Sequence, residues 1–185
     1  MASKNKIEKA IQEAENIDYD KDGNAIIHVG LKSKEEFYNE YCHGEYKTLN
    51  VEMTDFIEEN AKKLPQNKDL TLKIHTSSEI SPKEKEEMQK AIRREYADKY
   101  VLLNKKLKTN LFLTIILTIV GLGVLALAVL FENLEWSSIL SNTVMIAAWV
   151  FLWEAVEFFF FNRAEIRHKK KVVKRFLSCN LIIGK

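Results

Sequence analysis

The first 88 residues contain no arginine, and the whole chain of 185 has only 6 glycines, 2 prolines and 2 cysteines. Each scarcity excludes something. So few glycines leave little material for a cofactor cradle, and no nucleophile elbow, phosphate-binding glycine loop or H-E-x-x-H helix occurs. The chain does not read as an enzyme, and no cofactor or metal is expected. A cleavable signal is also missing: MASKNKIEKAIQEAE is polar, with neither an apolar core nor a small-residue cleavage site.

The missing arginines belong to a wider asymmetry. Residues 1–88 carry 13 Lys against 19 Asp+Glu, a net of −6, whereas residues 89–185 carry 15 Lys+Arg against 7 Asp+Glu, a net of +8. A basic half of this kind meets an anionic surface, either a membrane or a nucleic acid. Two apolar runs decide between them. Leu111 to Phe131 has no charge over 21 residues, and a helix of that length spans about 31 Å, the hydrocarbon thickness of a bilayer. Ile139 to Phe161 is the second run, broken by Glu154 and Glu157. A soluble core of this size can hide one such helix, but two would lack partners. Two transmembrane helices are expected, with the lipid bilayer as the first partner.

Orientation follows from the flanks. Lys99, Lys105, Lys106 and Lys108 precede the first span; Arg163, Arg167, Lys169, Lys170, Lys171, Lys174 and Arg175 follow the second; the connecting ENLEWSSI has no Lys or Arg. By the positive-inside rule both termini are cytoplasmic, in a multi-pass protein of the cytoplasmic (inner) membrane. Cys42 and Cys179 then sit in reducing surroundings, where a structural disulfide is not expected.

The remainder reads as an α+β cytosolic domain with a small sheet of two or three strands. Ile7, Ala10, Ile11 and Ala14 recur at helical spacing. AIIHVGL (25–31) and LTLKIHT (70–76) alternate as strands. Ser33 and Glu36 form a capping box for a second helix over SKEEFYNEY. Leu49, Met53, Phe56, Ile57 and Leu64 line a third, which Pro65 ends. Ser81-Pro82-Lys83-Glu84 starts one long helix running through the membrane to about Phe131, with Met88, Ile92, Tyr96, Leu103 and Leu107 facing the cytoplasmic domain or a neighbouring subunit. A second helix continues through Phe176, and NLIIG (180–184) is a plausible third strand. The expected organisation is a cytosolic domain over 1–81, a helical stalk over 82–110, a transmembrane hairpin over 111–161 (spans 111–131 and 139–161), and a basic helix with the C-terminal strand over 162–185.

Several motifs invite chemistry. DYDKDG (18–23) matches the opening of a calcium loop, but the twelfth position, which must supply a bidentate carboxylate, is Val29, and a strand replaces the exiting helix. An Asp/Gly turn explains the motif. His28, His75 and Cys42-His43 lack the paired spacing of structural zinc sites, so surface or hydrogen-bonded histidines are expected. RAEIRHKKKVVKR suits nucleic-acid phosphates, yet it sits where topology demands positive charge and where headgroups attract it by about 1 kcal/mol per basic residue. The membrane surface is the preferred reading for Lys105, Lys106, Lys108, Arg163, Arg167, Lys169, Lys170 and Lys171. Nucleic acid is the lesser one.

Thr114, Thr118 and Gly121 on the first span, and Ser141, Ala148 and Ala155 every seventh residue on the second, form small stripes that let membrane helices approach closely. A threonine-lined pore is the sharper alternative. Glu154 and Glu157 are three apart, hence neighbours on one helical face. Placing an acid near mid-membrane costs about 2.5–3.5 kcal/mol, so such residues usually face a bundle interior or water. Glu157 is close enough to the headgroups to snorkel, or to be held by Lys108, Arg163 or a hydroxyl. Glu154 lies about 10 Å from the end of the span and is expected to have a role.

The segment AWVFLWEAVEFFFFN (148–162) resembles the second span of a family of prokaryotic two-transmembrane-helix proteins of uncharacterised activity. Trp149, Trp153, Glu157 and Asn162 fall on its pattern, as does AIRREYADKY (91–100) before the first span. The family's basic-Pro pair is replaced here by Glu154-Ala155, and its later tryptophans are missing. More loosely, a small cytosolic module on two spans resembles membrane effectors of bacterial anti-phage defence. That likeness implies a regulated, oligomeric, channel-like effector whose cytosolic part senses a ligand or protein partner; two helices cannot enclose a pore, so a homo-oligomer is required. The alternatives are a non-conducting anchor or assembly factor that recruits a cytosolic partner and, third, a membrane-bound enzyme with an unrecognised site. The flanking charges make one direct prediction: reporters fused to either terminus will report cytoplasm, and a tag at Glu135 the opposite side. A reporter that places Lys185 outside refutes the two-span topology.

Overall fold

The computed structural model describes residues 17–42, 47–77, 79–133 and 138–184. The helix expected over residues 7–14 and His43 lie outside these. In chain order the elements are β1 (Ala25–Leu31), a single 3₁₀ turn (Lys34–Phe37), α1 (Val51–Lys63), β2 (Leu70–Thr76), α2 (Pro82–Asn133), α3 (Ser138–Glu157), a π-helical segment (Phe158–Asn162), α4 (Arg163–Leu177) and β3 (Asn180–Gly184). They fall into two compact units. One comprises residues 1–100 together with 171–185, and the other Val101–Lys170.

The first unit is built on a three-stranded, wholly parallel sheet in the order β1-β2-β3. Its alternation decides its two faces. Ala25, Ile27, Val29 and Leu31 are buried while His28 and Gly30 between them are exposed, and Ile27, Leu72 and Leu181 are register partners, as are Val29, Ile74 and Ile183. The buried face joins Met53, Ile57 and Ala61 of α1, Met88, Ile92 and Tyr96 at four-residue steps on α2, and Val172, Val173 and Phe176 of α4 in the core. The Tyr96 and Phe176 rings stack at 4.4 Å. Burial pushes the Tyr96 hydroxyl pKa up. Phe56, expected on the inner face of α1, is instead 50% exposed, because Met53, Ile57 and Ala61 already make a complete i, i+4, i+8 stripe.

The tail joins the sheet as a strand, parallel to β2. Parallel neighbours need a crossover. For β1 to β2 that crossover includes α1, whereas for β2 to β3 it includes both long apolar helices. A short C-terminal pentapeptide is therefore folded by contacts distant in the chain, among them Lys85 Nζ to the Ile183 carbonyl at 3.4 Å, 98 residues apart.

SKEEFYNEY does not form the expected helix. Only one 3₁₀ turn is present, and Ser33 makes no side-chain cap. Glu36 accepts instead from the Lys32 amide at 2.9 Å. The physical reason lies in long-range pairing: Asn39 N–H donates to Thr48 C=O and Asn50 N–H to Phe37 C=O, both at 3.0 Å, which buries Phe37 completely and delivers Asn50 as the N-cap of α1. Its side-chain oxygen accepts from Glu52 N–H at 2.8 Å and Met53 N–H at 3.3 Å. The second capping box does form. Glu84 accepts from the Ser81 amide at 2.9 Å while the Ser81 hydroxyl accepts from the Glu84 amide at 3.3 Å. Lys34 also reaches Glu84 at 2.7 Å. Lys34 first, and Ser81 after it, hold this carboxyl down at about 2.

DYDKDG is a turn, as its composition suggests. Gly23 takes φ +80°, a left-handed conformation that favours glycine. Asp20 accepts from the amides of Asp22 and Asn24 at 2.9 and 2.8 Å, and from the Thr71 hydroxyl at 2.5 Å. Its carboxylate therefore points into the domain and stitches the turn to β2. The Thr71 hydroxyl leads the groups that hold it at about 2.

Arg175 carries the tightest set of bonds between α4 and the rest of this unit. Its Nε donates to Lys68 C=O at 3.1 Å, Nη1 to Ala61 C=O at 3.1 Å, and Nη2 to Pro65 and Lys68 C=O at 2.9 and 2.8 Å. Burial lowers its pKa and Asp69 opposes that shift, but a guanidinium stays charged. A buried cation thus closes the C-terminal end of α1, where the helix dipole is negative and the carbonyls lack helical donors. Arg175→Met keeps the bulk but leaves three carbonyls short of donors, a loss of about 1–3 kcal/mol. Urea titration of the full chain in detergent, followed by proteolysis of this unit, will show a lowered midpoint, with Arg175→Lys in between; an unchanged midpoint refutes the role.

Candidate functional site

The second unit contains the two apolar segments. By length and composition two helices could cross a membrane, Pro82–Asn133 and Ser138–Leu177, and only 17% and 11% of their most apolar windows is buried inside the chain. A soluble core helix would be mostly covered. Here the outward faces carry Ile119, Leu122 and Leu130 of α2, and Ile146, Trp149 and Trp153 of α3.

What is buried along these helices is small or polar. Thr114, Gly121 and Ala128 recur every seven residues on α2, and Ser141, Ala148 and Ala155 do so on α3; all six are buried. The Ser141 hydroxyl donates to the Ala128 carbonyl at 3.1 Å. A Cβ on Gly121 would stand 2.8 Å from both Cγ and Cδ2 of Leu152 and 3.3 Å from its backbone N. The expected packing residues are thus brought together, and Ala128, missed in sequence, continues the same seven-residue row.

The threonines are accounted for locally. Thr114 Oγ1 donates to Asn110 C=O at 2.9 Å and Thr118 Oγ1 to Thr114 C=O at 2.8 Å, with Thr114 buried and Thr118 half-buried. Such i−4 back-bonding satisfies a hydroxyl inside an apolar helix without any partner. Asn110, also missed, is buried with its side-chain oxygen unpaired.

Glu154 and Glu157 are placed differently. Both are exposed, and neither makes an ion pair or hydrogen bond among the described residues. The sequence-level reading that Lys108 or Arg163 holds Glu157 is not met: Lys108 is exposed, and the Arg163 guanidinium lies 5.7 Å from the Phe159 ring centre instead. The π-helical segment begins immediately after Glu157. A wide turn of this kind inside a helix commonly marks a functional position.

The other basic residues sit mainly on the surface. Lys105, Lys106, Arg167, Lys169 and Lys171 are exposed. Lys169 pairs with Glu165 at 2.6 Å, and Lys170 is half-buried and partnered.

In the first unit, the histidines form a chain that sequence order conceals. His28 Nε2 and Asp18 Oδ2 are 3.1 Å apart, and His28 Nδ1 and His75 Nε2 2.9 Å apart. With ring centroids at 5.2 Å and planes inclined by 15°, the imidazoles lie nearly edge to edge, and the facing nitrogens share a proton. With Asp18 accepting from His28 Nε2–H, a neutral His28 can only accept at Nδ1, which makes His75 Nε2–H the donor. Cys42 is not with them. Its thiol contacts the Thr48 hydroxyl at 2.9 Å, and no group of three metal-binding side chains occurs among the described residues.

No family model, curated protein or solved structure matches the chain. The local geometry makes its own prediction. Gly121→Ala overpacks the α2–α3 contact at a cost of about 1–3 kcal/mol, whereas Gly123→Ala, with nothing within 4 Å of its Cβ, costs nothing comparable. Thermal unfolding of the two variants in detergent checks this; equal midpoints refute the close approach.

Proposed function

We propose that the chain is a two-span integral membrane protein of the cytoplasmic membrane, with both termini cytoplasmic, and that it works as an oligomeric, channel-like effector controlled through its small α+β domain. The resemblance of residues 148–162 to a two-span family, and of the architecture to anti-phage effectors, enters as part of this proposal, with defence as the setting it suggests. One observation carries the reading. Two carboxylates stand exposed on an apolar helix with no partner among the described residues, and lipid is a costly solvent for them.

Control through the domain is supported by continuity. From α3 the chain runs through the π-helical segment and α4 into β3, which is hydrogen-bonded in the sheet. A ligand or partner that alters the sheet has a covalent route to the helix bearing Glu154. A non-conducting anchor is the second reading, and the open face of the sheet favours it: the half-exposed His28–His75 pair, Lys73 and the 39% exposed Ile182 offer a partner mixed polar and apolar surface.

Glu154→Gln removes the charge but keeps shape and hydrogen-bonding capacity. In cells expressing the protein it will abolish toxicity or the fall in membrane potential, read with a potential-sensitive dye, while insertion and oligomer size persist. Glu157→Gln will do much less, because that carboxylate reaches the headgroup region. If neither change alters potential or toxicity, the carboxylates are solvated boundary residues and the anchor reading stands.

A further inference from the structure

We propose that the cavity at the carboxyl end of β1 and β2 binds a phosphate group that still carries a proton, as inorganic phosphate or a phosphomonoester, with His75 Nδ1 accepting its O–H and Lys32 meeting its charge. This goes beyond the membrane reading above and does not depend on it.

The site lies beyond the carboxyl ends of parallel strands, where sheets of this kind leave a crevice for ligands. An open cavity of about 560 Å³ is lined there by Gly30, Leu31, Lys32, His75, Thr76 and Ser77. Gly30 makes the room. It is the register partner of His75, and a Cβ built on it meets nothing within 4 Å.

The protons of the two imidazoles are fixed from one end. Asp18 Oδ2 lies 3.1 Å from His28 Nε2, and His28 Nδ1 lies 2.9 Å from His75 Nε2. A carboxylate can only accept, so it places the proton of a neutral His28 on Nε2. His28 Nδ1 must then accept, and His75 carries its own proton on Nε2. What remains at His75 Nδ1 is a lone pair, with no partner among the described residues. Asp18 and His28 are positioning residues: they make the one nitrogen left for a ligand an acceptor.

Charge around the cavity is mixed. Lys32 and Lys73 are in no ion pair among the described residues, and Lys73 stands two residues before His75 on the same face of β2. Against them is Glu36, whose carboxylate accepts from the Lys32 amide at 2.9 Å. The cations draw in an oxyanion, the acid keeps charge alone from holding it, and the hydrogen bond to Nδ1 decides what stays. Hydrogen phosphate brings both an anionic oxygen for Lys32 and an O–H for Nδ1. A phosphomonoester does the same in its singly protonated form, its second pKa being about 6. Sulfate is also a tetrahedral dianion, but near neutral pH it has no proton to give. Acceptor then faces acceptor, and both stay unsatisfied. The cavity is larger than a bare phosphate needs, which leaves space for the organic part of a monoester.

Calorimetric titration of the full chain in detergent at about pH 7, with sodium phosphate and separately with sodium sulfate, tests this. Phosphate is expected to bind, and sulfate to bind about tenfold or more weakly. Gly30→Val fills the cavity and alters neither histidine, so phosphate binding should be lost while the thermal midpoint holds. Asp18→Asn offers His28 a donor as well as an acceptor, which lets the chain of hydrogen bonds reverse and His75 Nδ1 carry a proton. Sulfate then gains, and the phosphate-to-sulfate ratio falls toward one. The proposal is overturned if phosphate gives no saturable binding or if sulfate matches it in the unaltered chain. It is equally overturned if Gly30→Val binds phosphate as before, or if Asp18→Asn leaves the ratio unchanged.

Discussion

The guanidinium of Arg175 is the constraint on which the α+β unit depends. Four hydrogen bonds to three carbonyls join the end of α1, the turn after Pro65 and the entry to β2 to a single side chain on α4. No carboxylate takes part in this set. The positive charge is offset by oriented carbonyl dipoles, the arrangement a helix C-terminus offers a cation. Because β3 follows α4 by only two residues, fixing Arg175 also places the strand that completes the sheet. Lys99, which reaches Glu58 of α1 at 2.8 Å, adds a second, weaker tie between α1 and α2. α1 is therefore held by charged groups from two helices that follow it in sequence.

A different economy governs the apolar unit. There the buried positions are Thr, Gly, Ala and Ser, and the large side chains point outward. That is the reverse of a water-soluble core and suits helices whose association depends on close approach and not on hiding bulk. The hydroxyls inside are satisfied by the helix itself, as with Thr114 and Thr118, or by the facing helix, as with Ser141, while the buried Asn110 oxygen is not. The two carboxylates are left on the outside.

Much of this was legible in the sequence wherever a strong local period met no competitor. The strands AIIHVGL and LTLKIHT, the long helix from Pro82, the NLIIG strand and the small-residue stripes all follow from spacing. What escaped notice depends on partners distant in the chain. SKEEFYNEY satisfies every local rule for a helix, yet Asn39 and Asn50 pair with Thr48 and Phe37 and leave room for one turn. Arg175 is indistinguishable from its basic neighbours until the carbonyls of residues 61, 65 and 68 are seen beside it. His28 and His75 could be placed on polar faces from alternation, but their direct contact needs the register that sets Gly30 against His75, and Asp18 was visible only as part of a calcium-like motif. For the candidate site, spacing and composition single out Glu154, Glu157 and the small-residue stripes in the sequence. That Ser141, Ala148 and Ala155 are buried while Glu154 and Glu157 stay exposed could not be read from spacing, because a period does not say which face packs.

The placement of β3 also has a consequence for synthesis. The ribosome makes β1, α1 and β2 first, and then both long apolar helices, before the residues that cover the outer edge of β2 exist. For that interval β2 offers unpaired amides and carbonyls along Leu72–His75 to any strand nearby. A nascent chain in which the apolar helices are slow to pack would remain in this state longer, so delay in those helices and aggregation through the sheet are two faces of one hazard. Such a protein would be most vulnerable when it is overproduced, as polysome-bound chains accumulate with half-edged sheets side by side.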